Sequence, residues 1–210
     1  MIPLRLGVLA SGRGSNLQAL IDAIEAKTLD ATIAVVVSNK PESMALERAQ
    51  RHGIKGIFLD PKSVAGEAQP RKAYDQKILE VLKAHDVQLV LLAGYMKIVT
   101  SVLIDAYQWH MMNIHPSLLP SFPGLNVQTQ ALDAGVKISG CTVHFVTEGI
   151  DEGPIILQTG VPVNEDDTVD ILSARILEQE HVLYPHAVQL FAERRLCVED
   201  KKVRILELTS

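Results

Sequence analysis

Cysteine is nearly absent from this 210-residue chain. The two present, Cys141 and Cys197, have neither the close spacing of a metal ligand set nor the framework of a disulfide-stapled secreted domain. Long apolar runs are missing too: the longest early one, Leu6 to Ala10, is too short for a membrane span or the core of a secretory signal. There is no excess of basic residues, since 20 Lys and Arg stand against 25 Asp and Glu, a formal charge of −5 that argues against a surface built for phosphate backbones. Repeats, low-complexity segments and long linkers are also lacking. The absences leave a soluble, reduced, cytoplasmic protein with no nucleic-acid or membrane partner as the expectation. What is present, 47% hydrophobic residues, suffices for one core and a single domain over residues 1–210.

Three apolar runs of strand length, "LRLGVLA", "TIAVVVS" and "VQLVLLAG", show no polar alternation and read as parallel strands buried on both faces. Between them, Leu17, Leu20, Ile21 and Ile24 make one helical stripe, and Tyr74, Ile78, Val81 and Leu82 make another. The fold class is therefore α/β: a mostly parallel twisted sheet with helices on both faces. "CTVHFV" and "PIILQTGVPV" follow closely on one another and are expected to add some antiparallel pairing. A long helix over 168–192, a terminal strand near Val203 to Leu206 and a surface loop over 62–70 complete the expectation.

In such a sheet ligands gather at the carboxyl ends of the parallel strands. The first such end is "ASGRGSNLQAL", where Gly12 and Gly14 permit tight turns and Ser15 or Asn16 opens a helix with free N–H groups, the makings of a phosphate cradle. A dinucleotide fingerprint would need a glycine where Leu17 stands and an acid where "SNKP" stands, so a dehydrogenase is disfavoured. A capped Gly-rich turn binding nothing would look the same. Further on, "HMMNIHP" reads as a strand entering a loop, with Asn113 and His115 on one face and Ile114 turned to the core. Prolines 116, 120 and 123 stop the strand and stiffen the loop beyond it. In "HFVTEGIDEGP" a strand ends in an acidic turn, from which Asp151 stands out because a carboxylate beside an imidazole favours the protonated ring. His144 fits a structural group, a supporting partner or, with His115 and Asp151, a metal ligand, although the spacing matches no compact zinc signature. Glu180 shares a helical face with Leu172 and Ile176, an odd place for a solvated carboxylate.

"SGRGSNLQAL", "AGYMKIV", "MNIHPSLLPSFPG" and "GCTVHFVTEGIDEGPIILQ", in this order and over nearly the whole chain, resemble the folate-dependent formyltransferases, and among them the phosphoribosylglycinamide formyltransferase family. The resemblance implies a single-domain, Rossmann-like formyltransferase fold. It implies transfer of the formyl group of 10-formyltetrahydrofolate, as co-substrate and without a metal, to the amino group of glycinamide ribonucleotide in purine biosynthesis. The partners are then these small molecules, and the enzyme a monomer or homodimer. By the same resemblance Asn113, His115 and Asp151 are the catalytic trio. Gly14, Ser15, Asn16 and Glu180 contact the ribonucleotide. Arg71, Met96, Lys97, Ile98, Val99, Asn113, Thr147, Glu148, Gly149, Ile150 and Asp151 line the folate site. Attack by an amine on a formyl carbon leaves negative charge on oxygen, for which the Asn113 amide and a protonated His115 are suitable donors. Arg13 and "NVQTQAL" after Gly124 depart from the family pattern. Three rivals remain: the methionyl-tRNA formyltransferases, which normally carry a further domain; the formyltetrahydrofolate hydrolases, which use water as acceptor and normally carry an additional N-terminal domain; and a non-catalytic nucleotide-binding protein.

Overall fold

The structure, a computed structural model, describes residues 3–207. The chain forms two compact units that divide between Met112 and Asn113. In the first, β1 (Leu4–Ala10) pairs with β2 (Ala31–Ser38) on one side and β4 (Leu89–Leu92) on the other, and β3 (Gly56–Phe58) extends the row beyond β2. All these pairings are parallel. Leu6, Val8 and Leu9 of β1, Val35 to Val37 of β2 and Leu89 to Leu91 of β4 are all buried, as strands covered on both faces must be.

The connections are α1 (Ser15–Glu25), α2 (Met44–Arg51), and a 3₁₀ turn (Pro61–Val64) followed by α3 (Pro70–Ala84); α4 (Ser101–Ala106) comes after β4. The first two connections step outward from β1 through β2 to β3, and the third steps back past them to β4. Right-handed crossovers running in opposite directions place α1 and α2 on one face and α3 on the other. The reversal makes the carboxyl ends of β1 and β4 a topological switch point, where α/β sheets open a crevice. Leu17, Leu20 and Ile21 of α1 are buried, with Ile24 half-buried. On α3 the buried stripe is Tyr74, Ile78, Leu79 and Leu82, and Val81, expected there, is only half-buried. A Cβ on Gly7 would stand 2.6 Å from Leu82 Cδ2 and 2.9 Å from Val87 Cγ1, so a larger residue there would have to displace these buried side chains. The stretch expected as a loop over 62–70 is shorter than that: it holds the end of the 3₁₀ turn, and Pro70 opens α3 at a position where a missing N–H costs nothing.

β5 (Met111–His115) carries the chain from the first unit into the second. There α5 (Val127–Asp133) precedes an antiparallel pair, β6 (Ile138–Phe145) and β7 (Ile155–Pro162), whose register runs from Ile138↔Pro162 to Val143↔Leu157 and shifts between Val143 and His144. α6 (Val169–Ala192) is capped by Thr168, whose hydroxyl accepts from Ile171 N–H, and it packs on β6 and β7 through Leu172, Ile176, Tyr184 and Val188. Each of these buried side chains contributes about 1.5–3 kcal/mol. The chain closes with β8 (Leu196–Glu199) and β9 (Lys202–Ile205), antiparallel to one another, with β9 parallel to β7 at Ile155↔Lys202. Among the described residues, no helix is long and apolar enough to cross a membrane.

Candidate active site

In the first unit, β1 ends at Ala10 and Gly14 turns the chain into α1 with a left-handed φ of 68°. A Cβ there would lie 2.8 Å from Ala45 Cα, so both conformation and space demand glycine. No side chain caps the first turn of α1, which leaves its amides at the positive end of the helix dipole. Arg48 braces the turn, donating from Nε to Arg13 O at 2.9 Å and from its terminal nitrogen to Gln18 Oε1 at 2.9 Å. Arg13, the first departure from the family pattern, is exposed.

After β4, Met96 and Ile98 are exposed at 66% and 55%, while Val99 is buried. Lys97 Nζ stands over the Tyr74 ring, 5.6 Å from its centroid, and Arg71 is exposed at the start of α3. Behind this loop lies Asp75, only 3% exposed, whose Oδ2 accepts from Thr100 N–H at 2.6 Å. Burial pushes its carboxyl above the usual range, and Thr100, through its N–H and side chain, and the Lys97 charge offset that only in part.

The second unit holds the predicted trio together. Asn113 and His115 share a face of β5 while Ile114 is buried, as alternation requires. Asp151 meets both from a turn in which it adopts a left-handed φ of 55°. Its Oδ1 accepts from Asn113 Nδ2 at 3.4 Å and stands 3.6 Å from His144 Nε2. Its Oδ2 accepts from Gly124 N–H at 2.9 Å and lies 3.3 Å from His115 Nδ1. Burial pushes the Asp151 carboxyl up, but His144, the Gly124 N–H and His115 together outweigh it, and the group sits below the ordinary aspartate range. Gly153 permits the turn, because a Cβ there would run into the Phe145 carbonyl.

His115, 4% exposed, donates from Nε2 to Phe122 O at 3.0 Å. Both ring nitrogens thus face acceptors, which only the doubly protonated ring satisfies on both sides. His144 donates from Nδ1 to Phe145 O at 2.9 Å, and its Nε2 faces both Asn113 Nδ2 at 3.2 Å and Asp151 Oδ1 at 3.6 Å. Among the described residues, no group of His, Cys, Asp and Glu has the arrangement of a metal site. The Asn113 amide and His115 Nε2 already have neighbours: Asp151 and His144 lie beside the amide, and Phe122 O accepts from the ring.

Two contributors lie beyond residue-pattern reasoning, the Phe122 carbonyl and the Gly124 N–H, because backbone groups carry no residue-type signal. The glycine in "FPG" is the available hint. Thr147 and Gly149 are half-buried and Glu148 and Ile150 exposed on the turn before Asp151. Glu180 is buried on α6 with Leu172 and Ile176, and its charge, after burial itself, helps push the Cys141 thiol up to about 12. "NVQTQAL", the second departure, forms the start of α5 from a left-handed Asn126, with Gln130 donating to Leu125 O.

A family model described as formyl transferase matches residues 4–188. A phosphoribosylglycinamide formyltransferase of Bacillus subtilis is 42% identical over 185 residues, 88% of this chain and 93% of that protein. A trifunctional purine biosynthetic protein of Drosophila melanogaster is 46% identical over 188 residues, 89% of this chain, yet the chain spans only 14% of that protein's length. Among solved structures, glycinamide ribonucleotide transformylase 1 from Symbiobacterium toebii superposes with a TM-score of 0.94 at 51% identity, over 98% of this chain and 95% of that one.

Proposed function

The chain belongs to the formyl transferase family, and on that footing we propose that it transfers the formyl group of 10-formyltetrahydrofolate to the amino group of glycinamide ribonucleotide in purine biosynthesis. The products are formylglycinamide ribonucleotide and tetrahydrofolate. The observation that carries this reading is the meeting of Asn113, His115 and Asp151 in one hydrogen-bonded group.

In this reading the amine attacks the formyl carbon, and the developing oxyanion draws on the Asn113 amide and the His115 imidazolium. These donors are already oriented, and the incoming oxygen replaces Phe122 O at His115 and one of the present acceptors at Asn113. Asp151 keeps His115 charged and aimed, and takes the amine's proton, directly or through water, for delivery to the departing folate nitrogen. His144 stands against both the Asn113 amide and the Asp151 carboxylate and holds them in place.

Gly14, Ser15 and Asn16 hold the ribonucleotide phosphate, and Glu180 contacts the same substrate. Arg71, Met96 to Val99 and Thr147 to Ile150 line the folate site, which Asn113 and Asp151 share. The reaction requires no metal. The family match runs through both units without interruption, which supports one formyltransferase domain. The partners are the two small molecules, and the protein works in the cytoplasm as a monomer or homodimer, without nucleic acid or membrane.

The test is tetrahydrofolate release by the purified protein with glycinamide ribonucleotide, with initiator methionyl-tRNA, or with water alone as acceptor. Turnover with the ribonucleotide alone is expected. Equal release without an acceptor identifies a hydrolase, and turnover only with the tRNA identifies another formyltransferase; either result overturns the assignment.

A further inference from the structure

Ser11 is 2% exposed and lies between β1 and the turn that enters α1. It touches the loop after β4 twice: its N–H donates to Gly94 O at 3.2 Å, and its Oγ accepts from Met96 N–H at 2.9 Å. Two residues earlier, Leu9 O accepts from Ala93 N–H at 2.9 Å, so the β1–β4 ladder continues past the last paired residues. Where Gly94 turns away with a φ of 71°, the serine hydroxyl takes the place of a backbone acceptor. The far end of the same loop is pinned by Asp75 at Thr100. Between these two anchors lie the exposed Met96, Lys97 and Ile98. On its other side, Ser11 runs directly into Gly12–Asn16, a turn held by Arg48 at Arg13 O and by Ala45 N–H at Gly12 O.

We propose that Ser11 is a positioning residue that couples the ribonucleotide loop to the folate loop, so that an anion seated at residues 12–16 orders residues 94–99. The inference rests on the reading of these two loops given under Proposed function, and it adds a residue that contacts neither substrate. The physical reason is the switch point: β1 and β4 are adjacent, their carboxyl-end loops diverge, and Ser11 is the place where one loop supplies both a donor and an acceptor to the other. Without the hydroxyl, Met96 N–H loses its partner, and the one remaining contact of Ser11, its N–H to Gly94 O, no longer carries the order of residues 12–16 into residues 95–99.

Hydrogen exchange on the whole protein tests this, with ribose 5-phosphate as a probe that carries the phosphate but no amine or formyl group. In the ligand-free protein, Ser11→Ala is expected to speed exchange at the Met96 amide by about tenfold, with the amides of α3 unchanged as evidence of folding. In the unsubstituted protein the probe slows exchange over both 12–16 and 94–99; in Ser11→Ala it slows only 12–16, and Ser11→Thr, which keeps the hydroxyl, restores the second effect. Should Ser11→Ala fail to fold, Ser11→Cys, a poor acceptor of similar size, takes its place. Protection of 12–16 without 94–99 in the unsubstituted protein, or of both in Ser11→Ala, overturns the coupling while leaving the loop assignment intact. Protection at neither segment overturns the phosphate reading of the loop and the coupling with it.

Discussion

Asp75 in the first unit and Asp151 in the second are both largely withdrawn from water, and their carboxyl groups move in opposite directions. Asp75 is held above the usual range because burial outweighs what answers it, Thr100 through its N–H and its side chain and then the Lys97 charge. Asp151 is held below it because burial is answered by two imidazoles and the Gly124 N–H. The difference lies in the partners and not in the burial. Asp75 anchors a loop, for which an acceptor in either protonation state suffices; under the proposed function Asp151 sits among groups that exchange protons and needs its charge. Under the proposed function the first unit holds the phosphate turn and the loop after β4, and the second holds the proposed catalytic trio together with Glu180 and the turn before Asp151.

The largest effects fall on the second unit. Asn113→Ala is expected to lower turnover by roughly a hundred- to a thousandfold, the loss typical of one oxyanion donor, with smaller changes in either KM. Stopped-flow or steady-state kinetics with both substrates varied would show it, and a rise in KM at unchanged turnover would place Asn113 in binding alone.

Next in size is Gly14→Val in the first unit. The side chain meets Ala45 and the left-handed backbone resists it, so the KM for the ribonucleotide should rise by about tenfold or more while the KM for the folate moves far less. Equal increases in both would assign the turn a structural role only.

The smaller effects concern stability and bear directly on the two aspartates. Asp75→Ala leaves Thr100 N–H without its acceptor and is expected to cost about 1–3 kcal/mol in urea unfolding at neutral pH. Asp75→Asn keeps an acceptor and removes a buried charge, so it should be neutral or stabilising there. With a raised folded-state value, Asp75 contributes stability that is fully present below its unfolded value, near pH 4, and lost as pH rises through the folded value. Asp151, with a depressed value, contributes stability that is present above the unfolded value and lost as pH falls through the folded one. Asp75→Asn should therefore remove the decline on the rising side and Asp151→Asn the decline on the acid side. The same pH profile for both variants would erase the distinction between the two acids.

Much of this is legible in the residues. The apolar runs of β1, β2 and β4 and the stripes of α1, α3 and α6 declare themselves because burial on a fixed period constrains residue type. The pairing of Asn113 with His115 comes from strand alternation. Short and polar elements are hidden: β3 has three residues with Gly56 and Phe58 exposed, β8 has none buried, and α2 buries only Ala45 and Ala49 beneath a charged surface. The bond from Gly124 N–H to Asp151 and that from His115 to Phe122 O depend on where a loop backbone runs, which side-chain patterns do not encode. Asp75 gives no signal, because a single acid in the stretch "RKAYDQKILE" looks like any other charged helix position until Thr100 N–H is found beside it.

The central claim is that Asp151 and His115 act as one unit in formyl transfer to glycinamide ribonucleotide, and the turnover of Asp151→Asn, His115→Ala and the double variant tests it most directly. Each single change is expected to lower kcat by roughly a hundred- to a thousandfold with the fold retained, and the double variant to fall little below the worse of the two, because the second substitution removes a group already disconnected. A double variant slowed by the full product of the two single effects would contradict the account, and Asp151 would then be an acid acting apart from the histidine it touches.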